Sequence, residues 1–117
     1  MSNPSKRKGS AFEVAVRDWF LDQQVTVRRN PTNGANDIGD LAVEIDGMHY
    51  VVEAKATKAI DLPGFLAEAD VEATNYAALN RLDPAVVRPL VVVKRRQHGT
   101  SRAYAVQELG WWLADHD

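Results

Sequence analysis

Leu41-Ala42-Val43-Glu44-Ile45-Asp46-Gly47-Met48-His49-Tyr50-Val51-Val52-Glu53-Ala54-Lys55 is the stretch on which the reading of this chain turns. Two β-prone runs, 41–45 and 49–55, flank Asp46-Gly47, a dipeptide that tolerates positive φ and marks a tight hairpin. Side chains alternate along a strand, so from Val52 onwards Glu53 and Lys55 share one face, and Val52 and Ala54 the other. With the turn at Asp46-Gly47, antiparallel pairing carries Asp40, at the mouth of the first strand, opposite the region of Glu53. Two carboxylates and one ammonium can therefore meet at one end of a sheet.

Working outward, Ser10 is expected to open a helix to about Gln23, because Ala11, Val14, Ala15, Trp19 and Phe20 recur at helical spacing. Residues 1–8 are basic and aperiodic, and are expected to form a flexible basic N-terminal arm ahead of a single domain over 9–117. Val25–Arg29 is a β-branched run, and Asn30–Asn36 is loop-like in composition. On the other side of the hairpin, Asp61-Leu62-Pro63 starts a second helix that runs through Phe65, Leu66, Ala69, Ala73, Tyr76 and Ala77 to about Asn80. Pro89–Val93 is a continuous apolar run, typical of a strand buried on both faces. A strand over 102–106 and a short helix over 108–114, carrying Trp111 and Trp112, complete the order α-β-β-β-α-β-β-α. That order implies an α/β domain with a mixed central β-sheet flanked by helices.

Composition narrows the chemistry. The chain has 117 residues, no cysteine and a formal net charge of −2. Disulfides and thiolate metal sites are excluded, so a metal would sit on carboxylates or histidines, and His49 and His116 have no metal-ligand spacing. No run approaches the roughly 20 apolar residues of a membrane span, and a cytoplasmic protein is expected (host-cell cytoplasm if the chain is phage-encoded). Basic residues cluster at Lys6-Arg7-Lys8, Arg28-Arg29 and Lys94-Arg95-Arg96 with Arg102 nearby. If they converge they form a DNA-binding face; otherwise they are solvated surface charge. Acidic residues gather in Glu68-Ala69-Asp70-Val71-Glu72. The second helix, with Asn75 and Tyr76 beyond this patch, could line a site or support dimerisation.

Paired carboxylates bind hard divalent ions such as Mg²⁺, which keep waters and accept phosphate oxygens as further ligands. A lysine beside them can orient or deprotonate a water, or stabilise developing charge. Asp40, Glu53 and Lys55 thus suit phosphodiester hydrolysis, with the Ala54 carbonyl as a further metal ligand. The competing reading of Glu53 and Lys55 is a solvated ion pair on an exposed strand. Glu13 likewise has two readings, since Ser10-Ala11-Phe12-Glu13 has capping-box spacing.

An aspartate followed by Glu-x-Lys across a hairpin, behind a helix carrying a glutamate, resembles the PD-(D/E)XK nuclease superfamily. Within it the chain is similar to Holliday-junction resolvases of archaeal and phage type. Lys8-Gly9-Ser10-Ala11-Phe12-Glu13, Asn36-Asp37-Ile38-Gly39-Asp40, Val51-Val52-Glu53-Ala54-Lys55 and Val91–Arg96 carry the likeness, which spans nearly the whole chain. It implies a restriction-endonuclease-like fold and a Mg²⁺-dependent endonuclease, with Mn²⁺ substituting, acting as a homodimer on branched DNA. It also implies a metal-site role for Glu13. The family's proline before the aspartate is absent. Asp40 is taken as the metal ligand because it begins the strand, and Asp37 as a residue that supports it or holds the loop. Two other readings stay open: a nuclease of flaps, ends or linear duplex, and a non-catalytic DNA-binding module.

Overall fold

The architecture is that of a computed structural model, which describes residues 4–31 and 37–116 (side chains from Gly9 onwards). The elements in chain order are α1 (Pro4–Asp22), β1 (Thr26–Arg29), β2 (Leu41–Ile45), β3 (Met48–Lys55), α2 (Leu62–Leu79), β4 (Val87–Val93), β5 (Tyr104–Val106) and α3 (Leu109–Ala114). Single 3₁₀ turns over Pro84–Val86 and Thr100–Arg102 precede β4 and β5. The five strands form one mixed sheet in the order β1-β2-β3-β4-β5. Only β3 and β4 run parallel, and α2 is the crossover between them.

The hairpin turns as its sequence requires. Asp46 and Gly47 take φ of 52° and 80°, which matches the right-handed twist of the flanking strands. The two-residue loop pairs Ile45 with Met48 and Leu41 with Val52. Continued by one step, that register sets Asp40 against Glu53.

Each sheet face buries one stripe. Leu41, Val43, Val52, Ala54 and Val92 pack with Phe12 and Val16 of α1. Val51, Val87 and Ala42 pack with Ala73, Tyr76 and Ala77 of α2, while Val91 and Val93 meet Ala69. Each fully buried aliphatic side chain contributes about 1.5–3 kcal/mol. Glu53 and Lys55 fall on the α2 face, since they alternate with Val52 and Ala54. Asp61 caps α2 by accepting the Gly64 N–H at 3.1 Å.

The first helix begins at Pro4, not Ser10. Residues 4–8, expected as part of an arm, are its first turns. Proline is tolerated there because the first amides have no intrahelical partner, and lysine and arginine are good helix formers. Ser10 is therefore interior to the helix, so the capping-box reading of Glu13 fails. The last strand is shorter than expected, because Thr100–Arg102 winds into the 3₁₀ turn. Among the described residues, no helix is long and apolar enough to cross a membrane.

Candidate active site

Asp40 is fixed at the point where the β2–β3 ladder ends. Its amide donates to the Val52 carbonyl at 2.9 Å, and its own carbonyl accepts from Asn30 N–H at 2.9 Å. The Ala54 amide then donates to the Asp40 side chain, Oδ2, at 2.8 Å. A carboxylate stands where a backbone acceptor would be, which orients Asp40 beside Glu53. The approach to Asp40 depends on Gly39, whose φ is +82° and whose missing Cβ would lie 2.6 Å from Val51 Cγ1. Glycine is needed at this position because the backbone passes directly over Val51 and Val52 of β3.

Glu53 and Lys55 share a face, as alternation requires, with Lys55 Nζ 3.3 Å from Glu53 Oε2. Lys55 also donates to Glu68 Oε2 of α2 at 3.0 Å, and its ammonium lies 5.0 Å from the centre of the Phe65 ring. Glu53 is 5% exposed, so the reading of a solvated surface pair does not hold. Burial, then the carboxylates of Glu68, Asp40 and Glu72, push the Glu53 carboxyl far above the usual carboxylate range. Asp40 is pushed up to about 6, by burial first, against the opposing Ala54 amide. Burial disfavours the Lys55 ammonium, but Glu68 and Glu53 outweigh it and raise its pKa. Glu68 moves down, through its hydrogen bond with Glu53 and then Lys55. Glu53 and Glu68 are thus shifted in opposite directions, with the Lys55 ammonium between them.

Glu13 adds to the negative charge at Asp40 from the α1 side. Arg29 Nη2 holds its Oε2 at 2.9 Å and also bonds Ser10 Oγ at 3.1 Å. Asp37 is set back in the loop, where Oδ1 accepts the Gly39 amide at 2.9 Å and the carbonyl accepts from Asn75 Nδ2 at 2.9 Å. The second helix therefore lines the site.

Two residues that the sequence marks only as part of an acidic patch belong here. Glu68 and Glu72 project from α2 toward the hairpin, and with Asp37 they form a trio whose ligand oxygens all lie within 4.8 Å of one another. Glu72 was legible in principle: it falls on the stripe of Ala69, Ala73 and Tyr76, so a glutamate sits at a core position. The donor set of the whole corner is oxygen, with one amine, which suits a hard divalent cation.

The basic residues divide. Arg28 and Arg29, adjacent on β1, point to opposite faces. Arg28 bonds Tyr76 Oη at 2.8 Å and Asn80 Oδ1 at 3.2 Å, while Arg29 serves Glu13. Lys94 follows β4 directly, its amide donating to the Lys55 carbonyl at 2.9 Å. Lys94, Arg95 and Arg96 thus leave the sheet at the end where the carboxylates gather, and Arg102 lies in the exposed 3₁₀ turn. The side chains of Lys6, Arg7 and Lys8 lie outside the described residues. His98 is exposed and bonds the Arg96 carbonyl.

No family model matches the chain, and no curated protein matches it. Among solved structures, it is similar to Hjc, a Holliday junction resolvase from the archaeal hyperthermophile Archaeoglobus fulgidus. The TM-score is 0.52 at 12% sequence identity, over 90% of this chain and 93% of that one. At that identity the likeness is one of fold: a mixed five-stranded sheet with flanking helices.

Proposed function

We propose that this chain is a metal-dependent, structure-selective DNA endonuclease of the PD-(D/E)XK type, acting on branched DNA such as a Holliday junction. The observation that carries the reading is the meeting of Asp40, Glu53 and Lys55 at one end of the hairpin, with Lys55 3.3 Å from Glu53. The resolvase-like fold supports it.

Asp40, Glu53 and the Ala54 carbonyl would hold a hard divalent ion, Mg²⁺ or Mn²⁺, which when bound supplies a more acidic water and a counter-charge for the scissile phosphate. The protein's own groups do the rest. The Ala54 amide fixes one oxygen of Asp40. Lys55, held in its charged form by two carboxylates, is oriented to bond the attacking water or a non-bridging phosphate oxygen. Glu13, steadied by Arg29, supports the acidic site from α1. Lys94, Arg95, Arg96 and Arg102, with Lys6, Arg7 and Lys8, are assigned to the DNA backbone, which positions the substrate without reading bases. Arg28 and Arg29 are engaged within the protein and contribute less. A homodimer would present two such sites to the two strands of a nearly symmetric junction.

Equal concentrations of four-way junction, flap and linear duplex, incubated with protein and Mg²⁺ or Mn²⁺, test the reading. Junction cleavage is expected to dominate, and Glu53→Ala and Lys55→Ala are each expected to lower it by about 10²-fold or more. Undiminished cutting by either variant would overturn the site assignment, and equal cutting of duplex would overturn the junction preference.

A further inference from the structure

Glu72 is 1% exposed, and among the described residues no hydrogen-bond donor reaches either of its oxygens. A buried carboxylate without a partner is costly, because it gives up water and gains no donor in return. Folded chains avoid such an arrangement unless something absent from the polypeptide completes it. What Glu72 faces is informative. Its oxygen lies within 4.8 Å of oxygens of both Asp37 and Glu68, and these are acceptors too. Acceptors can be joined by a shared proton, a bridging water or a cation, and of these only a cation also offsets the charge of three gathered carboxylates. Lys55 is already bonded to Glu68 and Glu53, so its single ammonium does not neutralise Asp37 and Glu72 as well.

We infer that Asp37, Glu68 and Glu72 form a second divalent-cation site, separate from the Asp40–Glu53 pair and formed between α2 and the loop that leads into β2. The donors are carboxylate oxygens, two of them one turn apart on α2 and the third on the loop, an all-oxygen set that suits Mg²⁺, Mn²⁺ or Ca²⁺ and that softer ions do not favour. A cation there links Asp37 to α2, alongside the existing bond from Asn75 Nδ2 to the Asp37 carbonyl. Since Asp37 also holds the Gly39 amide, the ion braces the segment that aims Asp40. The inference goes beyond the nuclease reading and does not require it, because a site that binds an ion need not cut DNA.

Mn²⁺ titration of the full chain, with free ion followed by electron paramagnetic resonance, tests it without reference to cleavage. The unsubstituted protein is expected to take up two ions per chain. Glu72→Gln, which keeps shape and removes charge, is expected to reduce that to one. Asp37→Asn, which keeps an acceptor for Gly39, should do the same and serves if Glu72→Gln fails to fold. Asp40→Asn is expected to remove the other ion and leave this one. Uptake unchanged in both Glu72→Gln and Asp37→Asn would overturn the site in favour of a shared proton or a bridging water. Loss of all binding in both Asp40→Asn and Glu72→Gln would overturn it in favour of one merged site. If a single ion binds, lost in Glu72→Gln and kept in Asp40→Asn, the α2 site stands and the hairpin metal assignment fails.

Discussion

Asp115 and Glu72 are both withdrawn from solvent, yet their surroundings are opposite. Asp115 accepts from Arg88 Nε at 2.8 Å, Tyr50 Oη at 2.9 Å and Gln107 Nε2 at 3.3 Å. Burial raises its pKa, but these donors outweigh burial and the net shift is downward. Arg88 also lies 4.6 Å over the Trp111 ring, so this corner ties α3 to the starts of β3 and β4. Glu72 has acceptors for neighbours, and burial first, then Asp37, push it up to about 9. One corner is complete within the polypeptide, and the other has spare ligands. Ligands of open α/β sheets collect outside the carboxyl ends of the strands, and it is toward that end of β3 that the incomplete corner lies. The difference separates a carboxylate that the polypeptide fully partners from one that it leaves unpartnered.

The contrast can be broken in several ways. The largest expected effect lies at the open corner, where Lys55→Ala should lower junction cleavage by about 10²–10⁴-fold while far-UV circular dichroism stays that of the parent. Unfolding of that variant at room temperature would mean that Lys55 belongs with Asp115 as a structural residue. At the closed corner, Arg88→Ala leaves a carboxylate buried without its cation, and is expected to cost about 3–5 kcal/mol in urea unfolding. A loss within the error of the measurement would show that Asp115 is not needed to hold α3. Glu72→Leu should act in the other direction. In chelator it is expected to raise stability by about 1–3 kcal/mol, since it removes an unsatisfied buried group. A decrease would show that Glu72 has a partner after all.

The smallest effect is the pH dependence of unfolding in chelator, and it sharpens the contrast most. Asp40 and Glu72 have folded pKa values above their ordinary ones. Their contribution is whole below the ordinary values of 3.8 and 4.5, and is lost as pH rises through about 6 and about 9. Asp115 has the reverse sign: its contribution is present above 3.8 and is lost as pH falls through its lower folded value. Glu72→Gln should therefore flatten the alkaline side of the stability profile, and Asp115→Asn the acidic side. Identical profiles for the two variants would erase the distinction.

How much of this was legible in the sequence follows from which interactions are local. Asp46-Gly47 fixes a two-residue loop, and the loop fixes the register, so the meeting of Asp40 with Glu53 and Lys55 could be read from fifteen or so neighbouring residues. The start of α1 could not, because residues 4–8 carry no apolar rhythm, and the helix extends there on propensity and a proline at its first position. Glu72 was passed over because glutamate on a helix is ordinarily solvated. Only the packing of α2 across β3, a long-range event, turns its position inward. The division of Arg28 from Arg29 was readable, since neighbours on a strand point to opposite faces, but their acceptors on two helices were not.

That division has a mechanical consequence. Arg28 reaches Tyr76 and Asn80 at the C-terminal end of α2, and Arg29 reaches Ser10 and Glu13 on α1, so a single peptide unit of an edge strand clasps both helical layers. The spacing between layers is then gauged by one stretch of backbone, and tilting either helix pulls on the other through it.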